Sequence, residues 1–278
     1  MSKFSDMLSQ ARRGQSGGAI GFFGGKSRPA IKPRAAALLI EFPAVDAGQA
    51  EAAIKAGANG LLFHWSGSAL DSASLATLKQ LSETIQSQDE NAALGLHLRA
   101  SSNNLERKTL EDLKEHGVHF LIVPPQAPAR LLTFHVKDFD LVVTLPWRNT
   151  DPLYPLVIRN LGAFEAVSAL HLDGSELGLE QLSIEEALGY RALREALRLP
   201  ALLSLPSLRS EAAAYGLLAL GVQAVIVPAA ENAAATAQRI QELRQWLEKV
   251  HQQEEKELPP PTLPQPQIAP SFEEEEEP

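Results

Sequence analysis

Two short apolar runs, Ala201–Leu205 and Ala224–Val227, flank an alanine- and leucine-rich segment, Arg209–Leu220, that closes on Gly221. Apolar runs of strand length around a segment of helical length predict strand, helix, strand. Strands without polar alternation are covered on both faces, and a helix is the compact way to join parallel neighbours. The stretch from Pro200 to Ala229 is therefore one βαβ unit. What the chain folds into depends on how often that unit recurs.

It recurs through most of the sequence. Strands are predicted over Ala36–Phe42, Gly60–Trp65, Ala93–Arg99, Phe120–Val123, Leu141–Leu145 and Ala166–Leu172. Helices are predicted between them over Ala47–Ala56, Ser72–Gln88, Leu105–His116, Pro128–Phe134, Pro152–Asn160 and Ile184–Leu197, and Asn232–His251 closes the series. Eight strands alternating with eight helices in 278 residues match a closed (β/α)8 TIM barrel, which typically takes about 250 residues. An open doubly wound sheet uses fewer strands and opens on a glycine-rich turn that is missing here. The expected organisation is α/β, with a single TIM barrel over 35–253. An N-terminal extension over 1–34 carries a short helix, Lys3–Arg13, whose Phe4, Met7 and Leu8 are expected to pack on the body. The proline- and glutamate-rich tail over 254–278, with its PPP, PQP and EEEEE runs, has too little apolar content to fold and is expected to be disordered.

Composition narrows the function classes. There are no cysteines, which excludes disulfides, thiolate zinc sites, iron–sulfur clusters and cysteine nucleophiles. The net charge is −9, and the basic residues that stand out are confined to the N-terminal extension, so the body does not suit a phosphate-backbone binder and nucleic acid is not an expected partner. No signal peptide or membrane span is visible, so a cytoplasmic protein without a membrane partner is expected. The acidic tail is a candidate for docking a protein partner. The glycine-rich stretch before the first strand is not a phosphate loop: one ending in Gly25-Lys26-Ser27 needs glycine where Ile20 stands, and no strand precedes it.

Barrels of this kind place chemistry at the C-terminal ends of their strands. The polar residues there are Glu41, His64, His97 with Arg99, Thr144 with Arg148 just beyond, His171 with Asp173, and Ser204 with Ser207. His97 and Arg99 share a strand face, as do His171 and Asp173, and a charged side chain is hard to bury under helices unpaired, so both pairs belong to the lumen or rim. Glu41, His97, His171 and Asp173 are the expected catalytic groups. Arg99, Arg148, His64, Ser204 and Ser207 are the expected ligand-binding groups, with a small molecule as the ligand. The alternative is a structural cluster in which Glu41, Arg99 and Asp173 neutralise one another. Three histidines and two carboxylates are an adequate ligand set for zinc or iron, but no HxH or HExxH spacing occurs, and no metal ligand is assigned. No predicted strand contains a lysine, which argues against Schiff-base chemistry. The cofactor stays unknown.

The run Leu218-Ala219-Leu220-Gly221-Val222-Gln223-Ala224-Val225-Ile226-Val227 resembles the last quarter of the aldolase-type and ribulose-phosphate-binding barrels, and the KAGANG ending at Gly60 echoes it. The resemblance implies a TIM barrel that holds a substrate or flavin phosphate by glycines after the seventh and eighth strands. Here those positions read Pro206-Ser207-Leu208 and Pro228-Ala229-Ala230, which argues against a bound flavin. LFHWS at His64 and LHLRA at His97 are similar to the metal-binding second and third strands of pentulose-phosphate 3-epimerases. That pattern also wants an acid where Ser66 stands and an Asp-Gly on the seventh strand, whereas Asp173-Gly174 ends the sixth, so the activity does not transfer. The expected function is an isomerase-, epimerase- or lyase-type reaction on a small anionic, phosphorylated metabolite. The alternative is a catalytically degenerate barrel that binds or scaffolds.

Overall fold

The computed structural model describes residues 2–13, 36–68, 70–99, 105–146, 153–175, 177–206, 208 and 210–257. Eight parallel strands close into a barrel in chain order: β1 (Ala37–Phe42), β2 (Gly60–Trp65), β3 (Ala93–Leu98), β4 (Phe120–Val123), β5 (Asp140–Leu145), β6 (Val167–Asp173), β7 (Ala201–Ser204) and β8 (Ala224–Pro228). β8 pairs back onto β1, with Leu39 opposite Ile226. The glycine-rich stretch and the tail beyond Glu257 lie outside the described residues.

Helices α2 (Ala47–Lys55), α3 (Ser72–Gln88), α4 (Arg107–Glu115), α5 (Tyr154–Ile158), α6 (Ile184–Leu197), α7 (Glu211–Leu220) and α8 (Ala233–Glu257) cover the barrel. Local chemistry sets their ends. Ser183 and Glu186 exchange side-chain and backbone hydrogen bonds in a capping box that starts α6. Gly221 ends α7 at φ 66°, a left-handed conformation that a side chain would strain. α8 continues beyond the expected barrel boundary at Gln253. The link between β4 and β5 departs from the helix predicted over Pro128–Phe134: it forms only a 3-10 turn over Ala129–Thr133. Pro128 caps this turn at its start, and Phe134, in an extended conformation, ends it. The link after β5 is also split, with α5 followed by a second 3-10 turn over Arg159–Ala163.

Period-two alternation gives each strand one face for the helices and one for the lumen. The lumen is filled by a separate apolar cluster that includes Leu39, Leu62, Ile122, Val142, Leu202 and Ile226. Helix α1 (Lys3–Arg13) belongs to it. Phe4, Met7 and Leu8 are buried in that cluster, and the Phe4 ring stacks on Phe120 with centroids 4.4 Å apart. The N-terminal helix thus closes the bottom of the barrel. Ser2 and Ser168 hydroxyls both donate to the carboxylate of buried Asp140 there, and burial pushes the Asp140 pKa up. On the outside, buried Arg244 of α8 ties the end of α2 to β1 by donating to the carbonyls of Gly57 (2.8 Å) and Ala36 (3.4 Å) and to the Asn59 side chain. No described helix is long and apolar enough to cross a membrane.

Candidate active site

Above the apolar lumen layer, the next inward position on each strand lies two residues further on. From Leu39 this is Glu41, from Leu62 His64, from Gly95 His97, from Val142 Thr144, from Ala169 His171 and from Leu202 Ser204. From Ile122 and Ile226 it is Pro124 and Pro228. The C-terminal mouth is therefore a ring of polar groups between two prolines, standing on a hydrophobic floor. A cavity of about 460 Å³ opens over it, lined by Glu41, His97, Thr144, His171 and Ser204, with Arg99 and Asp173 at its rim.

Two hydrogen-bonded arrays make up the ring. In the first, Glu41 Oε1 accepts from His97 Nδ1 at 2.6 Å and lies 2.9 Å from His64 Nε2. The His64 contact is close but out of line for a hydrogen bond, so this shielded nitrogen has no aligned partner. In the second, His171 Nδ1 meets Thr144 Oγ1 at 3.0 Å and Nε2 meets Ser204 Oγ at 2.7 Å. A neutral imidazole has one donor and one acceptor, so one hydroxyl donates to the ring and the other accepts from it. The arrays touch where the His97 and His171 rings meet edge to face, with centroids 5.1 Å apart.

Their electrostatics follow from burial and proximity. Burial alone would raise the Glu41 pKa, but the His97 hydrogen bond and the electrostatic pull of His97, His64 and Arg99 outweigh it and hold the carboxyl at about 2. Burial, reinforced by the neighbouring His97, pushes His171 down to about 3, so its ring is neutral over the ordinary pH range. Burial also lowers His64, against the pull of Glu41.

The structure brings together Glu41, His64, His97, His171 and Ser204 and leaves Arg99 and Asp173 exposed at the rim, where Asp173 Oδ1 accepts the Ser175 N–H at 3.0 Å. Arg148 and Ser207 lie outside the described residues. The expected alternative, mutual neutralisation of Glu41, Arg99 and Asp173, does not take that form. Among the described residues Glu41 is paired with the two imidazoles, because Arg99 and Asp173 sit one strand position higher, in solvent. Thr144 had no assigned role in the sequence, although it occupies the same inward position as the histidines and orients His171. Ser66 bonds to Ser68 and does not join the ring.

The backbone after β8 is also informative. The Ala229 N–H donates to Glu41 O at 2.8 Å, and the Ala230 N–H donates to Thr236 Oγ1 at 3.0 Å. Amides that could face an anion at the barrel mouth are thus committed within the protein. Among the described residues, the donors that could hold a metal ion are Glu41, His64 and His97, whose ligand atoms all lie within 4.8 Å of one another.

No protein-family model matches the chain, and no curated protein matches it in sequence. Solved structures match it in fold. The tryptophan synthase alpha subunit of Legionella pneumophila is similar over 90% of this chain and 99% of its own, at 14% identity and a TM-score of 0.61. Phosphoribosyl anthranilate isomerase of Thermus thermophilus is similar over 77% and 99%, at 15% identity and a TM-score of 0.52. Thiamine phosphate pyrophosphorylase of Pyrococcus furiosus is similar over 78% and 98%, at 11% identity and a TM-score of 0.52. With the closed ring of eight parallel strands, these likenesses show the (β/α)8 TIM-barrel fold.

Proposed function

We propose that the cavity at the barrel mouth binds a small anionic metabolite and that the groups around it move a proton on that molecule, in an isomerase-, epimerase- or lyase-type reaction. The observation that carries this reading is the convergence of Arg99, Asp173 and the His171–Ser204 pair on one cavity at the catalytic end of the barrel. Arg99 offers a guanidinium fork to a carboxylate or phosphate. Asp173 is the acid–base group nearest solvent, and Ser204, held by a neutral His171, is a hydroxyl able to donate or accept. Positioned acid–base catalysis of this kind is worth about 10²–10⁴-fold in rate. Because the amides after β8 are taken, the anion would rest on side chains, which suits a carboxylate better than a phosphate cradled by backbone.

The test is exchange. Incubation in D2O with a panel of small hydroxy- and oxo-carboxylates and sugar phosphates, followed by proton NMR, should show deuterium entering one carbon of one compound. Asp173→Asn should abolish the exchange, and Arg99→Ala should weaken binding. A second reading, a barrel that binds without catalysing, is favoured by the committed amides after β8. Thermal stabilisation by a ligand without any exchange would decide for it. Absence of both stabilisation and exchange across the panel would overturn the first reading.

A further inference from the structure

We infer that Glu41, His64 and His97 form a binding site for one divalent first-row transition-metal ion, open to the cavity. The inference goes beyond proton transfer, and it stands on the placement of three donor atoms. Adjacent strands supply them. His64 and His97 are direct partners in the β2–β3 register, and Glu41 pairs with Leu62, one inward position below His64. Both histidines point a nitrogen at the same oxygen, Glu41 Oε1, at 2.6 and 2.9 Å.

A hydrogen-bonding account explains only half of this. It satisfies His97 Nδ1 and leaves His64 Nε2 shielded from solvent, against a carboxylate oxygen, with no aligned partner. A cation accounts for both. Ions of this class sit about 2.0–2.2 Å from imidazole nitrogen and carboxylate oxygen, which places ligand atoms about 3–3.5 Å apart, so a small outward turn of the three side chains would accommodate one. Two imidazoles and one carboxylate suit zinc, iron, cobalt or manganese rather than calcium or magnesium, which prefer all-oxygen shells. The three ligands come from one side of the mouth, and the remaining coordination positions would face the cavity, as in sites that bind a substrate oxygen. Glu41 and His97 would then be ligands, and proton transfer would fall to Asp173 and the His171–Ser204 pair.

The test needs no substrate. Protein stripped with EDTA and titrated with Co²⁺ should bind one equivalent, with visible d–d absorption that reports nitrogen and oxygen ligation. Competition with Zn²⁺, Mn²⁺ and Fe²⁺ under anaerobic conditions would rank the ions. His64→Ala, at the most exposed ligand (side chain 29% exposed), and the near-isosteric Glu41→Gln should each weaken Co²⁺ binding by more than about 100-fold, since even lost outer-shell partners cost about 10–100-fold. Asp173→Asn should leave it unchanged. Absence of the absorption, or binding that survives both ligand substitutions, would overturn the site. Deuterium exchange by metal-free protein would leave the proton-transfer reading intact while the metal site failed, so the two stand or fall separately.

Discussion

Gly95 and Phe120 face each other inside the barrel so closely that a Cβ on Gly95 would lie 2.2 Å from the Phe120 ring. The missing side chain on β3 is what lets a phenylalanine of β4 lie across the lumen and meet Phe4 of α1. Gly95→Ala should therefore destabilise the protein by about 1–3 kcal/mol through overpacking. Phe120→Leu in the same chain should recover part of that loss, because the two changes share one space. Chemical denaturation of the two single variants and the double variant measures the coupling, and strictly additive losses would contradict it.

Phe4 extends the same stack from outside the strands. Phe4→Ala would leave a void at the barrel bottom and should cost about 3–5 kcal/mol, the usual range for a buried phenylalanine. Calorimetry should show a lower Tm for the whole barrel in a single transition, because the helix fills the same core as the strands.

Arg244 is a buried cation that donates, among other contacts, to backbone carbonyls and an asparagine side chain. Lysine cannot reproduce its planar fork. Arg244→Lys should destabilise by about 1–3 kcal/mol, since acceptors at the end of α2 lose their donors. Hydrogen exchange should show faster opening around Gly57 and Asn59 than elsewhere.

Thr144 and His171 test the second array. Thr144→Val keeps the shape and removes the hydroxyl beside Nδ1. Stability should fall by about 1–2 kcal/mol because a buried ring nitrogen loses its partner. The 15N shifts of His171 should change, whereas those of His64 should not.

His119 supplies a pH signature at the opposite end of the barrel. Its Nδ1 accepts the Leu94 N–H at 3.0 Å, and burial, aided by the charge of Lys3, lowers its pKa from 6.5 to about 4. Lys3 in turn feels Glu90. Above pH 6.5 both folded and unfolded chains carry a neutral ring, and no stability is at stake. Between 6.5 and about 4 the unfolded chain takes up a proton that the folded one refuses, so acidification should remove up to about 3 kcal/mol. Asp140, whose pKa burial raises, works in the opposite direction as pH falls through that raised pKa. The comparison should therefore be made with His119→Asn, whose side-chain oxygen can accept the same N–H. The stability difference between the two proteins should shift with pH between 6.5 and 4, and a constant difference would refute the assignment.

The alternation of apolar runs was enough to read eight strands, their order and the closed barrel, because parallel strands buried on both faces leave a period that local sequence alone reports. It was also enough to nominate Glu41, His64, His97, His171 and Ser204, each two residues beyond a lumen-filling position. The pairings among them were not legible. Glu41 and His97 are 56 residues apart and meet only because the stagger of β1, β2 and β3 raises one strand against the next. Nor could period two say which face of a strand looks inward, and it gave Thr144 no partner. That α1 packs on the body was legible, but not where, for a similar reason: Phe4 needs the space left by Gly95, with β1, α2, β2 and α3 between them in the chain. Sequence by itself determined the elements and which residues share a strand face, since both depend on neighbours along the chain. Only the tertiary structure decided which carboxylate meets which imidazole, since that depends on register across the barrel.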